Sequence, residues 1–224
     1  MSGSQPSDAQ VEVTVPESDA EEGQAAVPER DAAEGQVAPM GSAWVGRLHL
    51  VDSDEAVVTA WRHHFAVFPE VEVVHGDIVE VAAHAVVSPA NGYGFMDGGV
   101  DRAYVRFFGA SIEERVRAAI RCRPEGVLSV GAALVVDTGH PRIPRLIVAP
   151  TVLMPEPVPA SHAYRALRAV LRVVTAWPAS AGDVYCPGLT TGVGGVAPDE
   201  AAREMALAFR DWCAVHRGTG PSGG

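Results

Sequence analysis

The stretch SPANGYGFMDGGVDRAYVRFFG, residues 88–109, follows an apolar run that ends at Val87 and contains five glycines. Glycine lets the backbone approach a ligand closely and adopt positive φ angles. The amide of Asn91 and the carboxylate of Asp101 are suited to holding hydroxyl groups. A second stretch, GLTTGVGG at residues 188–195, follows the strand-like run 183–186. Two such loops at the ends of buried strands predict a site where backbone amides hold a phosphorylated sugar or a nucleotide.

The sequence around these loops alternates between strand-like and helix-like patterns. The predicted strands are residues 47–51, 71–75, 83–87, 132–136, 145–149 and 183–186. The predicted helices are a segment capped by Asp54 that runs to about residue 66, and residues 99–108, 111–121, 161–175 and 198–216, with Trp177-Pro178 and Gly218 as stop signals. Residues 83–87 are apolar on both faces, which favours a central strand. The alternation predicts an α/β fold, a three-layer α/β/α sandwich around a mixed, largely parallel sheet, with ligands beyond the carboxyl ends of the strands.

Composition divides the chain into three segments. Residues 1–43 carry nine acids and one arginine, lack aromatic side chains and contain a polar repeat, VPESDAEEGQ and VPERDAAEGQ. Such a segment cannot bury enough apolar surface to offset its ordering entropy, which predicts a disordered acidic tail. Residues 44–217 form the predicted domain, and residues 218–224 a flexible C-terminal tail.

Charge and residue types exclude several classes of function. The tail holds −8 of the net charge of −11, which leaves a domain of about −3 and argues against binding long nucleic acid by bulk charge. Lysine is absent, so no P-loop or Schiff-base lysine exists. Three cysteines without a CxxC pair and no paired metal-binding histidines predict no metal and no cofactor. No signal peptide and no run of 18 apolar residues is visible, so we expect a cytoplasmic protein without membrane contact, and a monomer.

Two motifs resemble those of a known family. The segment HGDIVEVAAHAVVSPANGYGFMDGGVD, residues 75–101, is similar to the opening of a macro domain: a G-D-I segment, a strand, an N-A-A-N-like turn and a glycine loop that ends in G-G-V-D. LTTGVGG, residues 189–195, resembles the second glycine loop of that family. The resemblance extends over about residues 71–213 and implies a domain that binds ADP-ribose or an ADP-ribosylated substrate.

The resemblance also implies roles for individual residues. Asp77 would accept a hydrogen bond from the adenine amino group, Ile78 would support the ring, and Asn91 would contact the distal ribose. Asp101 would orient water or that ribose, so Asn91 and Asp101 are the candidate catalytic residues. The remaining candidate ligand-binding residues are Ser88, Gly98, Gly99 and Val100 in the first loop and Thr190, Thr191, Gly192, Val193, Gly194 and Gly195 around the diphosphate.

Local structure offers another explanation for the polar candidates. Asp77 could cap its own turn, Asn91-Gly92 is a turn dipeptide, and Asp101 is an acid favoured at a helix N-terminus. Asp97 competes with Asp101 for the catalytic role. Ser88-Pro89 stands where the family usually has Asn-Ala, and Gly194 where it often has an aromatic residue; Tyr93 or Phe95 could replace that aromatic group from the opposite loop.

Four functions are compatible with these features. The first is hydrolysis of ADP-ribose linkages at the distal ribose, and the second is a non-catalytic ADP-ribose reader. The third is a phosphatase acting on ADP-ribose 1″-phosphate, and the fourth is a structural protein that uses the fold only for assembly. Binding without turnover, release of inorganic phosphate, and failure to bind any nucleotide would identify the second, third and fourth.

Overall fold

The computed structural model describes residue 44 and residues 46–177 and 182–217. Its six strands are β1 (Leu48–Asp52), β2 (Val71–His75), β3 (Ala85–Ser88), β4 (Leu134–Asp137), β5 (Arg145–Val148) and β6 (Val184–Cys186). Its six helices are α1 (Glu55–His64), α2 (Ile78–Val81), α3 (Gly99–Phe108), α4 (Ser111–Arg121), α5 (Ser161–Thr175) and α6 (Pro198–Arg217). The predicted acidic tail, the C-terminal tail and the stop signals at residues 178 and 218 lie outside the described residues.

The strands form one mixed sheet in the order β2-β1-β6-β3-β5-β4. All neighbours are parallel except β4 and β5, which pair antiparallel at one edge. Strand β3 lies inside the sheet between β6 and β5, and its side chains are buried on both faces, as its apolar sequence predicted. The sheet is therefore mixed and largely parallel.

Helices cover both faces of the sheet and complete three layers. On one face, α1, α5 and α6 bury a core that includes Trp61, Leu167 and Phe209. On the other face, α2, α3 and α4 pack over a second core that includes Tyr104 and Ile120. Both cores are apolar, so burial on the two faces holds the layers together. This architecture confirms the predicted three-layer α/β/α sandwich.

The predicted boundaries of α3, α4, α5 and β2 agree with the structure, and those of the other predicted elements shift by one or two residues. The first helix ends at His64 instead of residue 66, because Phe65 leaves the helical conformation as its C-cap. Strand β3 begins at Ala85 instead of residue 83, because His84 has a φ of 61°, which interrupts extended backbone. Helix α2 was not predicted, since its four residues are too short to show a periodic pattern.

Within the described ranges, no helix is long and apolar enough to cross a membrane.

Candidate functional site

A pocket of about 510 Å³ opens at the carboxyl ends of β1, β2, β3, β5 and β6. Both glycine-rich loops line this pocket. Ligands of parallel sheets bind at this position, beyond the carboxyl ends of the strands. Of the residues predicted from sequence, those that line the pocket are Asp77, Ile78, Asn91, Gly98, Gly99, Val100, Asp101, Thr190, Thr191, Gly192, Val193 and Gly194. Ser88 and Gly195 are not among the lining residues. Ser88 is fully buried behind the pocket wall and acts on it through Asp101.

The second glycine loop presents unpaired backbone N–H groups. Thr190 is buried and has a φ of 69°, and its carbonyl accepts a hydrogen bond from the Val196 N–H. This contact closes the loop upon itself. In the described part of the chain, no acceptor pairs with the N–H groups of residues 190–194. Such a row of free amides in a curved loop favours the binding of an anion.

Gly194 is explained by close packing. A Cβ atom at this position would lie 2.7 Å from the Thr190 carbonyl oxygen and 3.0 Å from Val158 Cγ2. The loop in this conformation has no room for a side chain, and therefore none for the aromatic group that the family resemblance led us to expect there. The opposite loop supplies an aromatic group instead, since Phe95 lines the pocket and Tyr93 does not.

The N-terminus of α3 presents a second set of free amides to the pocket. Gly98 is its N-cap and has no side chain to cap the helix. Among the residues that the structure describes, no acceptor pairs with the N–H groups of residues 99–101. The positive end of a helix dipole and free N–H groups together favour an anionic ligand.

Asp101 is the buried carboxyl group of the site. It lies in the first turn of α3, is 8% exposed and lines the pocket. The Ser88 hydroxyl donates a hydrogen bond to Asp101 Oδ1 at 2.6 Å, and the Tyr104 hydroxyl anchors the same helix to the Val87 carbonyl oxygen at 2.9 Å. Burial raises the pKa of Asp101 from 3.8 to about 7; the Ser88 hydrogen bond opposes this, and the charges of Asp97 and Glu113 add to it. The carboxyl therefore titrates near neutral pH.

Asp77 combines a structural contact with an open position. Its Oδ1 accepts a hydrogen bond from the Val79 N–H at 3.0 Å, so it is the N-cap of α2. The residue is exposed and lines the pocket beside the buried Ile78. A carboxylate has two oxygens and about four acceptor positions, so capping leaves capacity for a ligand.

Asn91 holds the first loop in shape. Its Oδ1 accepts hydrogen bonds from the N–H groups of Tyr93 at 3.0 Å and Phe95 at 3.3 Å. Its Nδ2 donates to the Phe95 carbonyl oxygen at 2.9 Å. The predicted turn role of this residue is therefore present in the structure. One proton of the amide nitrogen remains available to the pocket.

Asp52 is a pocket residue that the sequence reasoning missed. It ends β1, and its Oδ2 accepts a hydrogen bond from the Gly188 N–H at 3.0 Å, at the start of the second loop. Its Oδ1 accepts from the Asp54 N–H, also at 3.0 Å, next to the start of α1. One carboxylate thus ties the loop to the neighbouring strand end. The signal in the sequence was an acid directly after the strand-like run 47–51, at the edge of the sheet where ligands lie.

Cys186 precedes the second glycine loop but belongs to the core. It is fully buried, and burial raises the pKa of its thiol well above the usual range. A thiolate nucleophile is therefore disfavoured. The described residues contain no group of three His, Cys, Asp or Glu side chains that could hold a metal ion.

Comparisons with known proteins agree with this geometry. The macro domain model matches residues 87–205. An uncharacterised protein of Aquifex aeolicus is 37% identical over 148 residues, which are 63% of this chain and 81% of that protein. An uncharacterised protein of Aeropyrum pernix is 38% identical over 136 residues, 59% of this chain and 67% of that protein.

Two solved structures share the fold. The macrodomain of Mycobacterium tuberculosis DarG superposes with a TM-score of 0.51 at 23% identity, covering 61% of this chain and 87% of that one. The Oceanobacillus iheyensis macrodomain with ADP gives a TM-score of 0.53 at 20% identity, covering 61% and 72%. The family model covers more than half of the chain, and the two glycine loops with their free amides meet at one pocket. This protein therefore belongs to the macro domain family, whose members bind ADP-ribose.

Proposed function

We propose that this protein binds ADP-ribose in the pocket and hydrolyses the bond between its distal ribose and a substrate, with Asp101 as the general base. The observation that carries the proposal is the buried carboxyl of Asp101, which opens on the pocket next to two sets of free backbone amides. A reader domain needs the amides but has no use for a buried acid that titrates near neutral pH.

The diphosphate is the best match for the free amides. Residues 190–194 and the N-terminus of α3 offer N–H donors and no competing carboxylate of their own except Asp101. Amides that are fixed before the ligand arrives bind an anion without reorganising, so they hold the diphosphate and fix the position of both riboses. The O. iheyensis macrodomain, solved with ADP, is a relative in fold that holds a diphosphate.

The adenine end of the ligand fits Asp77 and Ile78. The open acceptor positions of the Asp77 carboxylate suit the exocyclic amino group of adenine, and Ile78 offers an apolar side chain beneath the ring. If adenine lies at Asp77 and Ile78, the distal ribose at the other end of the ligand lies toward Asn91, Phe95 and Asp101.

The chemistry follows from the position and pKa of Asp101. The ionised carboxylate takes a proton from a water molecule, and the water oxygen bonds to the anomeric carbon of the distal ribose. The bond from that carbon to the substrate breaks, and the leaving group departs with the electron pair. A base with a pKa near the working pH is effective because it is substantially ionised yet still basic. Ser88 fixes the carboxyl through Oδ1, which leaves Oδ2 for the water.

The experiment has two stages. Titration calorimetry with ADP-ribose, AMP and ribose 5-phosphate tests the pocket, and release of ADP-ribose from an ADP-ribosylated protein tests turnover. Asp101→Asn should reduce turnover by roughly 10²–10⁴-fold, as loss of a general base does, with little change in affinity for free ADP-ribose. The rate of the parent protein should rise with pH through about 7, as the carboxyl of Asp101 ionises.

Asp97→Asn is the matched control. Asp97 is also a pocket-lining carboxyl residue, four positions earlier, but it is exposed. Loss of turnover in Asp97→Asn and not in Asp101→Asn would assign the reaction to the other acid.

A non-catalytic reader is the second candidate, and one observation favours it. Three hydrogen bonds within the first loop occupy most of the Asn91 amide, which leaves little of it to orient a reacting ribose. Micromolar binding of ADP-ribose without release from any modified substrate would establish the reader function and exclude the hydrolase.

A further inference from the structure

The described residues expose nine large hydrophobic side chains, and five of them lie in chain segments whose neighbouring residues line the pocket. These five, which we call the mouth patch, are 42–58% exposed: Tyr93, Phe95, Leu153, Met154 and Val193. Single exposed apolar residues are ordinary, but several grouped around a ligand pocket mark an interaction surface.

Two chain segments that lie side by side form most of the patch. The Gly92 N–H donates to the Leu153 carbonyl oxygen at 3.1 Å, and Asn91 forms an isolated parallel bridge with Val152. A Cβ atom at Gly92 would lie 2.6 Å from Leu153 Cδ1, so the absence of a side chain at Gly92 makes room for Leu153. The fold therefore holds Leu153 beside the segment that carries Tyr93 and Phe95.

The mouth patch is continuous with the pocket. Phe95 and Val193 line the pocket and are also exposed, whereas Tyr93, Leu153 and Met154 lie outside its lining. In the orientation proposed above, the distal ribose lies toward Phe95, and a group attached to it leaves the pocket beside the patch. This step rests on the proposed function, because it uses the orientation in which Asp77 contacts adenine.

We propose that the mouth patch docks a polypeptide segment that carries ADP-ribose, and that it contacts an apolar side chain next to the modified residue. Leu153, Met154 and Val193 are aliphatic, and burying such side chains favours an apolar partner. Nucleic acid requires positive charge, and the patch offers little. Arg117 stacks on Phe95, with its guanidinium carbon 4.3 Å from the ring centroid, but it also lies 3.9 Å from Glu113. Outside its acidic tail the chain has a net charge of about −3.

The test compares two synthetic peptides that carry ADP-ribose through a linkage that water does not cleave. One has leucine on both sides of the modified residue, and the other has serine. Calorimetric dissociation constants are measured with the parent protein, with Tyr93→Ser/Met154→Ser, and with Val67→Ser, which removes an exposed hydrophobic residue outside the patch and the pocket lining. The parent should bind the leucine peptide at least about fivefold more tightly than the serine peptide.

The double variant should lose this preference and keep its affinity for free ADP-ribose within about twofold, and Val67→Ser should behave like the parent. Equal binding of the two peptides by the parent, or a preference that survives in the double variant, would overturn the proposal. An ADP-ribosylated oligonucleotide whose binding depends on the patch while peptide binding does not would overturn it in favour of nucleic acid. Failure to bind free ADP-ribose would overturn the proposed function as well, whereas the preceding outcomes leave it standing.

Discussion

The pH dependence of unfolding in an Asp101→Asn variant tests the central electrostatic feature of the site. Burial raises the pKa of Asp101 to about 7 in the native state, whereas the unfolded chain returns it to 3.8. Between pH 4 and pH 7 the native state therefore holds a proton that the unfolded state has lost. Raising the pH through this window favours the unfolded state and lowers the free energy of unfolding of the parent protein.

The magnitude follows from the width of the window. One group contributes ~1.4 kcal/mol for each pH unit between its two pKa values, so the whole window corresponds to a loss on the order of 4 kcal/mol. Asparagine has nearly the same shape and does not titrate. The free energy of unfolding of Asp101→Asn, relative to the parent, should therefore increase by roughly 2–3 kcal/mol from pH 5 to pH 7 and level off above about pH 8.

Urea unfolding followed by tryptophan fluorescence, in steps of half a pH unit between 5 and 8.5, measures this difference. Asp97→Asn controls for the loss of one negative charge, since Asp97 is exposed. Its charge contributes less than burial to the raised pKa of Asp101, so this variant should keep most of the pH dependence of the parent. Parallel curves for the parent and Asp101→Asn across pH 5–7 would refute the reasoning. Such curves would mean that the Asp101 carboxyl of the native state is ionised across the whole range from pH 5 to pH 7. Its pKa would then lie well below 7, contrary to the role proposed for it as a base.

Three further predictions concern ligand binding, each measured by calorimetry. Asp77→Ala should weaken ADP-ribose binding by roughly 1.5–3 kcal/mol and ribose 5-phosphate binding much less; equal losses would mean that Asp77 only caps α2. Asp52→Ala should free the Gly188 N–H and weaken ADP-ribose binding by roughly tenfold, with partial recovery in Asp52→Asn, which keeps an acceptor oxygen. A chain that begins at Ser42 should keep its ADP-ribose affinity within about twofold, because residues 1–41 carry no aromatic or aliphatic cluster; a tenfold loss would contradict this.

Sequence alone was sufficient for the elements whose patterns are local. Helices α3, α4 and α5 show clear amphipathic periodicity, and their limits were predicted to the residue. Strand β3 was placed inside the sheet because both of its faces are apolar. The glycine loops could be assigned to one site because parallel strands bring their carboxyl ends to the same edge.

Contacts that depend on strand order could not be predicted in this way. Asp52 reaches Gly188 only because β1 lies next to β6, and these residues are 136 positions apart in sequence. The hydrogen bond between Ser88 and Asp101 depends on how α3 packs on β3. The residue types in these two segments therefore gave no sign of it. The sequence predicted that Asp101 is either a helix-start acid or a catalytic residue, but it could not show that the side chain is buried.

The contacts of Ser88 and Gly194 explain how this chain accommodates its two departures from the usual macro domain pattern. Ser88 replaces a residue that is usually Asn, and its hydroxyl donates directly to the buried Asp101, which keeps that carboxyl in place and partly offsets its burial. Gly194 replaces an aromatic residue because the Thr190 carbonyl oxygen occupies the space for a side chain, and Phe95 lines the pocket from the other loop. Phe95 is both a pocket-lining residue and one of the exposed apolar residues of the mouth patch. The residue that supplies an aromatic ring to the pocket wall therefore also contributes apolar surface outside the pocket.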